Sequence, residues 1–399
     1  MKILMITPYV PYPTSSGGQI RTFNLLKYLS KRNEITLVCL YKLDREKDYQ
    51  SHLKPFCKQI FFCRRPEKPW QLKTIFDSLF SKRPFLVSRN SSDEARQVLN
   101  KLFKEQVFDV IHVETFYVMP HLPKVKTPIL LVEQTIEYKV YQHFVDTLPF
   151  FVRPLFLLDI LKLNYSERFY WNKANLVATV SESDKKAITA VEPQIKPVII
   201  PNGAGDEMLA KQLNPKNLRN PVLLFQGNFL WLQNTEAANY LIEKIYPLLK
   251  KQIKKFKLLI AGQFASKKIT KPLNKDIEIV DIDVDQIQQV KKVYQESTLF
   301  IAPIFGPGGT RLKILAAMAN GLPIVSTKTG VEGLAVRNNQ EVLIASQPKE
   351  FAKKITYILK NKRHYEKIRA NAYQLIDKLY NWEKIAQNLE FIYGKLIKT

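Results

Sequence analysis

Nine residues in the C-terminal half, Phe305 to Lys313 (FGPGGTRLK), contain three glycines, an arginine and a lysine. That combination suits phosphate chemistry. Gly306, Gly308 and Gly309 permit backbone conformations and close approaches that a Cβ blocks, so amide groups can turn towards an anion. A helix starting near Thr310 would aim its unpaired N–H groups and the positive end of its dipole at the same point. Arg311, with a planar fork, can grip two phosphate oxygens, and Lys313 can act as a point charge. Asn320-Gly321 followed by Pro323 predicts a left-handed cap and a stop, after which Ile324 to Ser326 resumes as a strand. Helical projection puts Leu312, Leu315 and Ala319 on the core face, Lys313, Ala317 and Asn320 away from it, and Ala316 on the shoulder between. A glycine turn ahead of an ordinary surface helix fits the same letters.

Other polar residues stand where buried strands are expected to finish, the usual place for chemistry in an open α/β sheet. The loop Pro8 to Gly18 ends in Gly17-Gly18, which would let a substrate approach the backbone, or simply make a turn. The strand 108–113 runs into Glu114, and the strand 129–133 into Glu133-Gln134-Thr135-Ile136-Glu137. A lone carboxylate in such a place is as readily structural as catalytic. Asp281, Asp283 and Asp285 alternate along an extended loop, which does not make a cation site, so no metal is expected.

The elements that must position these groups alternate along the chain. Strand 2–7, the glycine loop, a helix from about Gln19 to Lys31 and strand 34–40 form a βαβ unit without the GxGxxG of a dinucleotide site. Strands are expected at 175–180 and 197–201, with Ser181-Glu182-Ser183-Asp184 as a helix start and Pro201-Asn202-Gly203 as a turn. Residues 214–221 read as a linker. A second series follows: strand 222–226 into Gly227-Asn228 and a helix to about Lys251, strand 257–261 into Gly262, strand 277–280, and strand 299–302 into the glycine-rich loop. Two such runs predict an α/β protein of two doubly wound domains facing across a cleft. The tail, 380–399, carries Trp382, Ile385, Leu389, Ile392 and Leu396 at helical spacing.

At 399 residues the chain is long enough for two cores, and 46% hydrophobic with 24% charged residues is a globular balance. The net charge of +25 points to polyanionic partners: nucleotide phosphates, anionic lipid or nucleic acid. Nucleic acid is set aside, because no RNP, KH, helix-turn-helix or zinc signature accompanies the charge. Three cysteines, Cys39, Cys57 and Cys63, without a CxxC pair, suit a reducing cytoplasm. The opening residues make no secretory signal. The most apolar zone, Leu148 to Leu161, is interrupted by Arg153, Pro154 and Asp159 and is too short to span a bilayer. Burial against a sheet is expected for it, with residence in a membrane interface as the alternative.

The motifs resemble those of retaining GT-B glycosyltransferases of family 4, or glycosyltransferase group 1. MKILMITPYVPYPTSSGGQIRTFNLLKYLSK resembles that family's first strand, glycine loop and helix, and NLVATVSESDKKAI and VIIPNGAGDE its later N-terminal elements. LLFQGNFLWLQNTEAANYLIEKIYPLL resembles the start of its nucleotide domain, and GGTRLKILAAMANGLPIVSTKTGVEGL its donor-site signature. The resemblance implies an acceptor-binding Rossmann-like domain over 1–203, a nucleotide-sugar-binding one over 204–379, and a last helix, 380–399, crossing back to the first. It implies a retaining transfer from a nucleotide-diphosphate sugar to a glycan or lipid-linked acceptor, without metal or other cofactor. Gly308, Gly309, Thr310, Arg311 and Lys313 would hold the diphosphate, with Arg311 and Lys313 stabilising the leaving group. Gly227, Asn228 and Gly262 would line the nucleotide pocket, and Gly17-Gly18 would approach the sugar phosphate. The expected setting is cytoplasmic, with anionic membrane at its inner face as an option.

Three positions depart from the family pattern. Where the family has a glutamate towards the ribose, this chain has Ala316, and the position of the family's other glutamate, eight residues earlier with seven between, is Gly308. A charge-assisted hydrogen bond to ribose contributes about 1.5–3 kcal/mol, so Ala316 raises an alternative: a non-catalytic partner subunit that binds nucleotide or glycan. Gln134 stands where related sequences often carry a histidine. That leaves Glu114 as a catalytic candidate, and Gln134 and Glu137 as residues for positioning an acceptor hydroxyl.

Overall fold

The computed structural model describes residues 1–68, 71–210, 212–270, 274–283, 286–306 and 312–398. They divide into two compact units, one holding Met1–Pro201 and the helical stretch from Ile385, the other holding Asn202–Gly306 and the residues from Leu312 to Lys384.

The first unit is built on a seven-stranded parallel sheet: β1 (Lys2–Thr7), β2 (Glu34–Tyr41), β3 (Gln59–Arg64), β4 (Val110–Glu114), β5 (Ile129–Glu133), β6 (Leu176–Thr179) and β7 (Val198–Ile199). Its order is β3-β2-β1-β4-β5-β6-β7. The second unit has β8 (Val222–Gln226), β9 (Lys257–Gly262), β10 (Ile277–Asp281), β11 (Leu299–Ala302), β12 (Ile324–Ser326) and β13 (Leu343–Ile344), ordered β10-β9-β8-β11-β12-β13. Both orders run outward from a first strand and then reverse, so each sheet has a switch point, between β1 and β4 and between β8 and β11. Crevices open there because the loops on either side depart in opposite directions. The central strands are nearly continuous apolar runs, Ile3-Leu4-Met5-Ile6 in β1 and Leu258-Leu259-Ile260-Ala261 in β9, because helices cover both faces of a parallel sheet.

The expected alternation holds with shifted ends. The first helix is Gly17–Leu29, two residues earlier than its pattern, because Ser16 supplies the N-cap and accepts from the Gln19 amide. Ser181 does the same for Glu182–Val191, accepting from Asp184 N at 3.1 Å. The long helix expected up to Lys251 is interrupted: Leu232–Tyr240 passes through a π turn, Leu241–Ile245, into Tyr246–Gln252. Pro247 sits at the start of that last segment, where its missing N–H prevents a regular ladder. Strands β3 and β13 carry no comparable signal in the sequence; both are edges, where one set of ladder bonds suffices.

Three expectations about burial need correcting or refining. Ala317 and Asn320 do not face away from the core: the helix Leu312–Ala319 is buried from Ile314 onward, with Ala317 among the most buried, because β11 and β12 and a later helix, Lys362–Leu379, enclose it. Its end is as predicted. Gly321 is left-handed at φ +65°, and Leu322 N reaches back to Ala317 O at 2.9 Å. The apolar zone Leu148 to Leu161 is not buried against a sheet. Its residues from Pro154 belong to the helix Pro154–Lys173, which turns Ile160 and Leu163 inward while Leu155, Leu157, Leu158 and Leu161 stay exposed. Helical geometry gives only one stripe of this nearly all-apolar run a partner. In the tail helix, Trp382–Lys398, Leu389 and Tyr393 are fully buried, the latter within the first unit.

Candidate functional site

At the switch point of the second sheet, the loops after β8 and β9 meet beside the helix Leu312–Ala319. Gly227 follows β8 and Gly262 ends β9. Gly262 takes φ +140°, and a Cβ there would stand 1.8 Å from Gly227 O, so only glycine fits. Gly227 in turn lies under Lys313: a Cβ at 227 would reach 2.8 Å from the ammonium nitrogen. Lys313 Nζ is held by Asn234 Oδ1 and lies 5.1 Å from the centre of the Phe225 ring. Asn234 also donates to Asn228 O at 2.6 Å, and Asn228 Nδ2 donates to Gln263 Oε1 at 2.7 Å. The outcome is a floor of bare backbone with one steered ammonium group, able to receive an anion.

Gly227, Asn228, Gly262 and Lys313 are therefore brought together. Asn234 and Gln263 were missed. Neither carries a motif of its own; each matters because β8 and β9 are hydrogen-bonded neighbours. The segment leading from β11 towards the glycine-rich loop is anchored by Ser326 Oγ, which donates to Ala302 O at 2.9 Å, and by Thr327 Oγ1, which donates to Ile304 O. Gly308, Gly309, Thr310 and Arg311 lie outside the described residues, as does Asp285 of the acidic loop. Asp281 accepts from Ser266 N at 3.0 Å. Among the described residues, no three His, Cys, Asp or Glu side chains gather as a cation site. Ala316 is 9% exposed and belongs to the core of this unit, its carbonyl accepting from Asn320 Nδ2 at 2.9 Å.

The switch point of the first sheet has a different character. Glu114, the last residue of β4, is wholly buried, and its Oε1 accepts from Arg21 Nε at 3.0 Å and from His112 Nε2 at 2.9 Å. Gln134 Nε2 donates to Oε2 at 2.6 Å. Burial by itself would raise the Glu114 pKa, but the Arg21 charge and the His112 and Gln134 hydrogen bonds outweigh it and bring it down to about 2. The carboxylate is thus ionised and already taken up by its donors, so it holds neighbours in place rather than touching a substrate. Arg21 also donates to Ile200 O at 3.0 Å, tying the first helix to the end of β7. Tyr393 OH meets His112 Nδ1 at 2.5 Å, which fixes the ring from the tail helix.

Gln134 is half-buried and donates to Tyr9 OH at 2.8 Å as well as to Glu114. Both amide hydrogens are committed, and its carbonyl oxygen is the group able to accept from a hydroxyl. Tyr9 OH meets Thr22 Oγ1 at 3.1 Å and occupies the space a side chain at position 18 would need, 2.5 Å from a Cβ built on Gly18. Gly17 and Gly18 are the first residues of their helix, so Gly18 first of all makes room for Tyr9. Thr115, directly after Glu114, is held at φ +75°, a conformation costly for a β-branched residue and characteristic of functional loops. Glu137 opens the helix Glu137–Asp146, accepts from Thr135 Oγ1 at 3.1 Å, and has its pKa raised by burial. Its backbone N–H donates to Glu167 Oε1 at 2.8 Å. Arg21 and Tyr9 had no signal in the sequence, since only the pairing of β1 with β4 brings the helix and loop after β1 to Glu114 and Gln134, whereas His112 stands two residues before Glu114 on the same face of β4.

Comparison with known proteins adds a matching segment and the fold. Residues 220–361 match the family model "Glycosyl transferases group 1". An uncharacterized 44.6 kDa protein in the cps region of Klebsiella pneumoniae is 25% identical over 403 residues, covering 97% of this chain and 98% of that one. Sucrose-phosphate synthase from Thermosynechococcus elongatus superposes with a TM-score of 0.71 at 16% identity, over 100% of this chain and 99% of that one. Anabaena HepE, solved in complex with UDP-glucose, superposes with a TM-score of 0.66 at 14% identity, over 99% and 100% of the two chains. Residues 220–361 thus resemble the glycosyl transferases of group 1, and the chain's two parallel sheets have the GT-B fold of these structures.

Proposed function

We propose that the protein transfers a sugar, with retention of configuration and without a metal, from a nucleoside-diphosphate sugar to a glycan or lipid-linked acceptor. The observation that carries this reading is the convergence of Gly227, Gly262 and Lys313 at the second switch point, in the segment that matches the family. Breaking a sugar–phosphate bond leaves a nucleoside diphosphate whose charge grows in the transition state. A fixed ammonium stabilises that charge more than it stabilises the bound donor, which is how binding becomes rate. Lys313 supplies the fixed charge, with Arg311 and the amides of Gly308 to Thr310 as its proposed companions. A similar fold holding UDP-glucose in HepE supports a nucleotide sugar as donor.

On the acceptor side, Gln134 presents its carbonyl oxygen to the incoming hydroxyl and Glu114 holds Gln134 through Nε2. Glu137, its pKa raised, stands at the start of the adjacent helix. A relative from a cps region supports an acceptor in polysaccharide assembly. A cytoplasmic setting suits three buried cysteines that form no disulfide. Incubation with a panel of nucleotide sugars and candidate acceptors, following diphosphate release and the anomeric configuration of the product, tests the reading. Absence of both nucleotide binding and turnover, also in Ala316→Glu, overturns it.

Ala316 favours a second reading, a nucleotide-binding partner subunit without turnover. Calorimetric binding of a nucleoside diphosphate, with no transfer in either the natural chain or Ala316→Glu, would select it.

A further inference from the structure

Thirteen large hydrophobic side chains left exposed fall within residues 72–80 and 144–169. We propose that the surface formed by the helices Leu72–Phe80 and Pro154–Lys173 docks on an anionic phospholipid bilayer. The first helix presents Phe76, Leu79 and Phe80, the last 80% exposed, and the second presents Leu155, at 78%, followed by Leu158 and Tyr165 along one stripe. Phe150 and Phe151 precede it, equally outward. An ordinary soluble surface scatters such residues singly; a contiguous set marks a contact site.

The two helices form one pre-built face. Asp159 Oδ1 accepts from Ser78 Oγ at 3.1 Å and from Phe85 N at 2.8 Å, and Lys162 Nζ donates to Ser78 O at 2.7 Å and Ser81 O at 2.9 Å. These bonds also decide the sign of the surface. Every acidic residue on the two helices is turned into the fold: Asp77 accepts from Ser88, Asp159 from Ser78, and Glu167 from the Glu137 and Tyr138 amides at 2.8 and 2.9 Å. The cations Lys82, Arg83, Arg153 and Lys173 remain exposed around the apolar residues. At the far end, Tyr165, Arg168, Phe169, Asn172, Lys173 and Glu192 line a groove of about 550 Å³. Leucines and aromatics fringed by lysine and arginine match the acyl–headgroup boundary of an anionic membrane, where the cations meet lipid phosphates. A second copy would instead bring like charges together. Among the described residues no helix is long and apolar enough to cross a membrane, so the contact is interfacial.

The proposal is independent of sugar transfer and is tested without it. The full chain is floated with vesicles of equimolar phosphatidylglycerol and phosphatidylcholine, and with phosphatidylcholine alone. Binding to the anionic vesicles, weakening as salt rises, is the expected result, and Phe80→Glu with Leu155→Glu lowers it by about tenfold or more with an unchanged melting temperature. Lys82→Glu with Arg83→Glu, which leaves the apolar residues in place, lowers it as well. The proposal is overturned if the natural chain stays unbound on anionic vesicles, or if neither pair of substitutions weakens flotation. It is also overturned if sedimentation shows a dimer that Phe80→Glu with Leu155→Glu splits, since the surface then belongs to a second copy.

Discussion

The two switch points share one strand order and have opposite chemistry. At the break between β1 and β4, side chains fill the space and satisfy one another: Arg21, His112 and Gln134 around Glu114, with Tyr9 and Tyr393 beyond them. At the break between β8 and β11, side chains are withheld, and glycines expose backbone beneath Lys313. The first arrangement makes a rigid, uncharged-looking wall from ionised parts, fit to orient a neutral hydroxyl. The second keeps a concave floor fit for an anion with several oxygens. A Rossmann-like sheet supplies the crevice in both cases; what it binds depends on whether the strand ends carry side chains or omit them.

The bare floor is the easier to destroy. Gly262→Ala places a Cβ against Gly227 O in a backbone conformation alanine avoids, and should cost the second unit about 4 kcal/mol or more. A urea titration in which this variant keeps the natural midpoint would show that the approach of the two loops is not required. Glu114→Gln strikes the filled site instead and leaves the Arg21 charge buried without its counter-ion, a loss of roughly 3–5 kcal/mol. Replacing both partners, Arg21→Met with Glu114→Met, should recover part of that loss. The pH profile gives the sign. The Glu114 pKa falls from 4.5 to about 2 on folding, so its stabilisation is complete above 4.5 and is lost as the pH drops towards 2. Glu114→Gln should flatten the profile across that range.

Lys313→Met separates binding from stability. Affinity for a nucleoside diphosphate should fall by roughly ten- to a hundredfold, the effect of removing one charge-assisted contact, while the melting temperature changes little. Equal affinity by calorimetry would move the anion away from this ammonium group. The smallest effect should come from Glu133→Gln. Burial first, and the neighbouring Glu167 second, push the Glu133 pKa well above 4.5, so the native state retains a proton that the unfolded chain releases. Its contribution is therefore largest at low pH and declines as the pH rises past 4.5. The amide, which needs no proton, should reduce that decline. A steeper decline in the variant would contradict a protonated Glu133.

Much of the second site was legible in the sequence because it is local. Gly227-Asn228, Gly262 and the helix with Lys313 each follow a recognisable apolar strand, and the strand ends specify where they meet. Gly321 was legible for the same reason, as a cap written beside its helix. Much of the first site was not. Arg21 sits mid-helix, where a basic residue reads as ordinary surface, and Tyr393 lies 281 residues from the histidine it holds. Ala317 was placed on the wrong face because a projection assumes one wet side, whereas β11, β12 and a later helix enclose this one.

By itself, the sequence determined the alternation of strands and helices, the two parallel sheets and the glycines at their strand ends. These follow from backbone sterics and from the apolar period within a few neighbouring residues. Only the tertiary structure decided which polar groups are consumed and which remain exposed. It drew Glu114 into a closed network, and it left the apolar stripe from Leu155 without a partner while turning Asp77, Asp159 and Glu167 inward. Burial and charge pairing depend on what arrives from distant parts of the chain, and no local pattern carries that information.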